Sequence, residues 1–275
     1  MSWDASCRMA PRRCHFVAML LVCTTVAVAV PQSLQMARTT VPLASNRLHI
    51  TYLVEANIGD PVQSLPLVFD TGSSNLGVAG SMCTSPACGT GATFSVINST
   101  TATPFTCKVP KDCHTRCPEC DCVQMGADSA HLRGIGAGVT KVCAFSTFYV
   151  DGTGWTAMLV EDDVSIGPSS VNGPSARSAV GVIFNSTVQL GAKRGTMGVA
   201  LRSLSATGTT WWTSYTQQTG VDDLLGVCLA WNGGVLSLGG VDQALLAGEV
   251  RWTSMNTAES LYGAPLVNVE VIYAL

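Results

Sequence analysis

Between residues 48 and 58 the apolar side chains Leu48, Ile50, Tyr52, Val54, Ala56 and Ile58 alternate with His49, Thr51, Glu55 and Asn57, and only Leu53 breaks the second face. A period of two over this length predicts a half-buried strand, because successive side chains of an extended chain point to opposite faces. Gly59-Asp60-Pro61 then predicts a turn, and residues 65–69 a short apolar strand that delivers Asp70 to its end. An acidic side chain at a strand end is placed for chemistry. The runs 145–150 and 157–166 predict a hairpin whose tip, Asp151-Gly152-Thr153-Gly154, is made of turn formers. Residues 195–199 predict a glycine-punctuated strand and 235–240 another strand and turn. Helical patterns are confined to 209–219 and a brief stretch at 241–247. Strands outnumber helices, which predicts an all-β chain, and no internal repeat is strong enough to define a solenoid.

The stretch 82–142 departs from this pattern. It is rich in Cys, Thr, Gly and Ala with poor periodicity, as expected of a long excursion held by cross-links instead of a core. Of the 12 cysteines, eight lie between Cys83 and Cys143. The spacing of Cys113, Cys117, Cys120 and Cys122 is also that of a zinc knuckle. The leader argues for disulfides instead. Arg8, Arg12 and Arg13 precede an uncharged apolar run over 16–30, the order of a secretory signal peptide, with cleavage expected near residues 27–31. That run is shorter than the ~20 residues a bilayer span needs, and an oxidising lumen favours disulfides over bound metal. We therefore expect no metal, no cofactor and no stable membrane span apart from the leader. Two sequons, Asn98-Ser99-Thr100 and Asn185-Ser186-Thr187, are compatible with glycosylation.

Composition narrows the function classes. With 47% hydrophobic and 12% charged residues the chain has ample material for a core. Its net charge of -3, without a basic run, gives no reason to expect a nucleic-acid partner. The four histidines, His15, His49, His114 and His131, are scattered and suggest neither a triad nor a metal site. No Gly-x-Ser-x-Gly elbow, dinucleotide fingerprint or phosphate loop is present.

The informative string is Phe69-Asp70-Thr71-Gly72-Ser73-Ser74-Asn75-Leu76. Alone, Asp-Thr-Gly is most often only a turn. Here it follows Tyr52-Leu53-Val54-Glu55-Ala56-Asn57-Ile58-Gly59 and precedes, in order, Tyr149-Val150-Asp151-Gly152-Thr153, Gly195-Thr196-Met197-Gly198 and the segment 234–242. In this ordered set the chain resembles the pepsin-like aspartic proteases over roughly residues 48–275. The resemblance implies a pepsin-like double-β-barrel and a monomeric endopeptidase acting on peptides or proteins. It makes Asp70 one of two catalytic aspartates that share a proton and activate a water, the established chemistry of this family. Thr71, Gly72 and Ser73 become catalytic-loop supports, with a buried hydroxyl bond across the dyad from Thr71 and a serine bond to the outer carboxylate oxygen from Ser73. Tyr149, Asp151, Gly152 and Thr153 become a flap over the substrate.

The layout implied is a signal peptide at 1–30, a short propeptide or linker at 31–47, an N-terminal catalytic lobe at 48–205 with the Cys-rich insertion 82–143, and the start of a C-terminal lobe at 206–275. The compartment implied is the secretory pathway, with the product secreted or held in a lysosome-like lumen. Two departures qualify the resemblance. Family members often carry a tryptophan shortly after the Asp-Thr-Gly loop that hydrogen-bonds the flap tyrosine. This chain has Gly77 there, and Trp155, just beyond the flap tip, is a candidate to supply bulk. Further, no second Asp-Thr-Gly or Asp-Ser-Gly follows Asp70, so the second lobe is expected to be truncated and the chain alone inactive. The alternatives are a catalytically inactive homologue that binds peptides or proteins, and a homodimer that pairs two copies of Asp70.

Overall fold

The computed structural model describes residues 16–19, 39–46, 51–125, 141–168, 173–230, 233–242, 245–246, 250 and 261–262. Among the described residues thirteen strands form one continuous hydrogen-bonded network. They are β1 (Phe16–Met19), β2 (Thr39–Asn46), β3 (Thr51–Ile58), β4 (Gln63–Asp70), β5 (Leu76–Ala79), β6 (Thr103–Pro104), β7 (Asp121–Gln124), β8 (Lys141–Phe148), β9 (Gly154–Ile166), β10 (Ala176–Ser186), β11 (Gly195–Gly198), β12 (Leu225–Ala230) and β13 (Gly233–Leu238). Among the described residues two α-helices accompany them, α1 (Lys111–His114) and α2 (Trp211–Thr219). The all-β expectation holds. No helix among the described residues is long and apolar enough to cross a membrane.

The path β3-β4-β11-β5-β10-β9 returns to β3 through the pairing of Asn57 with Ser165, closing a barrel. Closure removes the free edges that an open sheet exposes. The predicted alternation of β3 puts Val54, Ala56 and Ile58 in the interior with no exposed surface. Asn57, expected on the polar face, is also buried, where β9 pairs beside it and the chain continues to Gly167. Its amide donates to Gly167 O at 2.7 Å and accepts from Ser64 Oγ at 2.6 Å, so the buried group is satisfied. Helix α2 begins at Thr210, whose hydroxyl accepts from Thr213 N, and ends at left-handed Gly220.

Residues 206–230 and 233–238 make contacts with the barrel. Trp211 donates to Val164 O, Gln218 bonds the backbone of Arg177 in β10, and Trp211, Leu225 and Leu236 share one apolar cluster with Val54 and Leu67. Residues 39–46 form strand β2, inserted between β13 and β3 with Val41 and Leu43 buried. Strand β1, inside the expected leader, pairs with β12. Of the 241–247 pattern, residues 243–244 and 247 lie outside the described residues.

The Cys-rich excursion is stapled as the composition suggested. Cys83–Cys88, Cys107–Cys122, Cys113–Cys143 and Cys117–Cys120 are disulfides, so all four positions of the zinc-like spacing are bonded to sulfur. Arg194 is buried beside the first of these loops. Its guanidinium donates to the carbonyls of Ala92, Cys88 and Gly191, an arrangement that fixes backbone without a carboxylate.

Candidate active site

Asp70 is the last residue of β4, and three backbone hydrogen bonds fix the turn that follows it. Gly198 N donates to Asn75 O at 3.0 Å, Val199 N to Asp70 O at 2.8 Å and Ala200 N to Ser73 O at 2.8 Å. The approach of β11 is too close for any side chain at position 198. A Cβ there would lie 2.6 Å from Ser73 O and 2.7 Å from Asn75 N. This is the physical requirement behind the second glycine of Gly195-Thr196-Met197-Gly198.

The loop then arms the carboxylate. Gly72 N donates to Asp70 Oδ1 at 2.8 Å, and Ser73 Oγ donates to Asp70 Oδ2 at 2.5 Å. Each carboxylate oxygen thus has one fixed donor, which sets the plane of the group. Ser73 is buried while Asp70 is half-exposed, so the carboxylate is held from behind and open in front. Thr71, expected to make a buried hydroxyl bond, is exposed. Among the described residues no hydrogen bond joins Asp70 to a second carboxylate.

The hairpin of β8 and β9 carries the predicted flap residues and is tied to this loop by the bond from Asn75 Nδ2 to Thr147 Oγ1 at 3.1 Å. Its tip is closed by Tyr149 N donating to Thr153 O at 2.8 Å and Gly152 N to Tyr149 O at 3.0 Å, with Gly152 at φ 80°. Asp151 Oδ1 accepts from Thr153 N at 2.9 Å and Thr153 Oγ1 at 2.7 Å. The Thr153 hydroxyl and then its backbone N–H hold the Asp151 carboxyl below its ordinary value, since both bonds favour the charged form. Phe148 and Val150 point to solvent, while Tyr149 between them turns inward. Burial, foremost, raises the Tyr149 phenol above its ordinary value, and the Asp70 charge adds to this. Tyr149 is therefore a neutral hydrogen-bonding group on the Asp70 side of the flap.

Four contributors escaped the sequence reading. Asn75 bonds the loop to the flap strand through Thr147, Thr196 accepts the Tyr149 hydroxyl proton at 3.2 Å, and Thr187 bonds both backbone groups of Gly154 at the flap base. The fourth, Trp155, was noticed for bulk alone, yet its indole donates to Tyr149 Oη at 3.0 Å. All these partners are 6–72 residues apart in sequence, so no local spacing marks them.

A closed β-barrel carrying an Asp-Thr-Gly loop beneath a tyrosine-bearing hairpin defines the acid-protease class. The chain belongs to the family described as eukaryotic aspartyl protease, whose model matches residues 51–108 and 138–272. Shorter segments resemble individual relatives. Pregnancy-associated glycoprotein 2 of Bos taurus is 50% identical over 54 residues, 20% of this chain and 14% of the relative. Cathepsin E of Cavia porcellus is 49% identical over 49 residues, 18% of this chain and 12% of the relative. Embryonic pepsinogen of Gallus gallus is 54% identical over 43 residues, 16% of this chain and 11% of the relative. The aligned segments thus span a small fraction of those proteins' own lengths.

Proposed function

We propose that the protein is an aspartic-type endopeptidase that hydrolyses peptide bonds by general acid–base activation of water, with Asp70 as one carboxylate of the dyad. The observation that carries this reading is the Asp70 carboxylate, held at both oxygens by Gly72 and Ser73 and faced by the flap tyrosine. A pair of carboxylates sharing one proton lets one act as base toward water while the other acts as acid toward the carbonyl. Asp70 is open in front to such a partner. In this reading Thr71 supplies a hydroxyl to the completed dyad, and Asp151, Gly152 and Thr153 form the flap tip over the peptide, a turn supported by the bond of Thr153 to Asp151. The substrate is a peptide or protein, and the working unit a monomer of two lobes with the second beginning after the barrel.

The leader pattern and four disulfides support a secretory-pathway address, secreted or lumenal. Asn98 and Asn185 are both exposed, as glycosylation requires.

The second reading is a peptide-binding homologue without turnover, in which the aspartate opposite Asp70 is substituted. The test is peptide hydrolysis at acid pH by the natural full-length product and its Asp70→Ala variant, with binding of a statine-type peptide measured alongside. Endopeptidase function gives turnover that falls roughly a thousandfold in Asp70→Ala. Binding without turnover in the parent selects the second reading, and equal turnover in both proteins removes Asp70 from catalysis.

A further inference from the structure

Two of the four disulfides are neighbours. The Sγ atoms of Cys107, Cys113 and Cys143 all lie within 4.8 Å of one another, although Cys107 is bonded to Cys122 and Cys113 to Cys143. The fourth sulfur is brought close by strand register, since Cys122 of β7 stands directly opposite Cys143 of β8. Cys143 N donates to Phe105 O at 2.8 Å and Cys107 N to Lys141 O at 3.3 Å, so the backbone groups of Cys143 face 105–107 and not β7. That makes Cys122 and Cys143 a non-hydrogen-bonded antiparallel pair, the kind with Cα atoms about 4.5 Å apart and side chains closest. Disulfides span Cα separations of roughly 4.4–6.8 Å. A second pairing, Cys107 with Cys113 and Cys122 with Cys143, is therefore within reach of the same four sulfurs.

Access to the two bonds is unequal. Cys113 and Cys143 are each 1% exposed, whereas Cys107 and Cys122 are half-buried, an opening that suits a small thiol. Attack of such a thiolate on Cys122 Sγ breaks the bond to Cys107, forms a mixed disulfide on Cys122 and leaves the electron pair on Cys107 as a thiolate. Cys107 then attacks Cys113 Sγ, forming Cys107–Cys113 and expelling Cys143 as a thiolate. Cys143, opposite Cys122, attacks the mixed disulfide, forming Cys122–Cys143 and returning the small thiolate to solvent. Two protein disulfides are present before and after, so the exchange is an isomerisation without net oxidation or reduction.

We propose that Cys107, Cys113, Cys122 and Cys143 form a thiol–disulfide exchange site whose reactant is a low-molecular-weight monothiol. The exchange moves the covalent tether of β8, the strand that leads into the flap, from α1 to its own sheet neighbour β7. It asks nothing of Asp70 and stands apart from the peptidase reading. In the test, the full-length oxidised protein is incubated with reduced glutathione without denaturant, quenched with N-ethylmaleimide and digested with trypsin. Cleavage after Lys108, Lys111, Arg116 and Lys141 puts the four cysteines in separate peptides. Mass spectrometry of the unreduced digest is expected to show Cys107–Cys113 and Cys122–Cys143 links gained in equal amounts, matched by equal losses of the two original links, with buried Cys117–Cys120 unchanged. In Cys107→Ser no added thiol is needed: Cys122 is expected to take Cys143 and leave Cys113 as the alkylated cysteine. Retention of both original links in glutathione, loss of Cys107–Cys122 alone, or new links that form only in urea overturns the proposal. So does alkylation of Cys122 in Cys107→Ser with Cys113–Cys143 intact.

Discussion

Asn75 and Thr147 are joined by a 3.1 Å hydrogen bond from amide to hydroxyl, and both side chains are buried. The other end of the Asn75 amide accepts from Ala206 N at 3.0 Å and Ser205 Oγ at 3.3 Å. One side chain thus ties the loop of Asp70 to the strand that carries the flap and to the segment leading into α2. The register of loop against flap is set there, five residues beyond the aspartate.

Asn75→Ala should lower stability by about 2 kcal/mol, because Ala206 N–H is left buried without its acceptor. A urea midpoint measures this. Catalysis should fall by more than stability explains, since Thr147 and Asp70 lose a common reference. Asn75→Asp keeps the acceptor of Ala206 N and Ser205 Oγ and removes only the amide donor to Thr147.

Acid pH bears on the flap tip through Asp151. Its carboxyl titrates below the ordinary aspartate value of 3.8, held there by the Thr153 hydroxyl and backbone N–H. A carboxyl depressed in the folded state adds stability that is fully present above the unfolded value and lost as pH falls through the folded one. The tip should therefore keep its turn under mildly acidic conditions and loosen only below pH 3.8. A ¹³C carboxyl titration of Asp151 checks the direction, and Asp151→Asn should abolish this part of the pH dependence.

The Cys113–Cys143 disulfide spans 30 residues and ties α1 to β8, the strand leading into the flap. Replacing both cysteines by serine should destabilise the protein by about 3 to 4 kcal/mol on loop-closure grounds. Cys117–Cys120, spanning three residues, should matter much less. Paired thermal unfolding curves of the two double variants decide between a dependence on loop length and a uniform effect.

The sequence was sufficient for the elements that carry strong local signals. The alternation over 51–58, the apolar run into Asp70, the turn formers at 151–154 and the helical pattern at 209–219 appear as β3, β4, the hairpin tip and α2, while residues 48–50 of the first pattern lie outside the described residues. The Asp-Thr-Gly loop was legible too, because Gly72 and Ser73 act on a neighbour two or three residues away. Such short-range geometry is set by residue type and chain direction.

What the sequence could not contain was the company these pieces keep. Asn57 reads as polar and exposed until β9 pairs beside it and Gly167 takes its amide, and nothing in residues 39–46 names β13 and β3 as the strands that flank them. Gly77 reads as a deficiency until Trp155 is found in its space. Each is a contact between strands far apart along the chain. Barrel closure, which no local pattern encodes, decides which side chains share a volume and which hydrogen bonds are left for them to make.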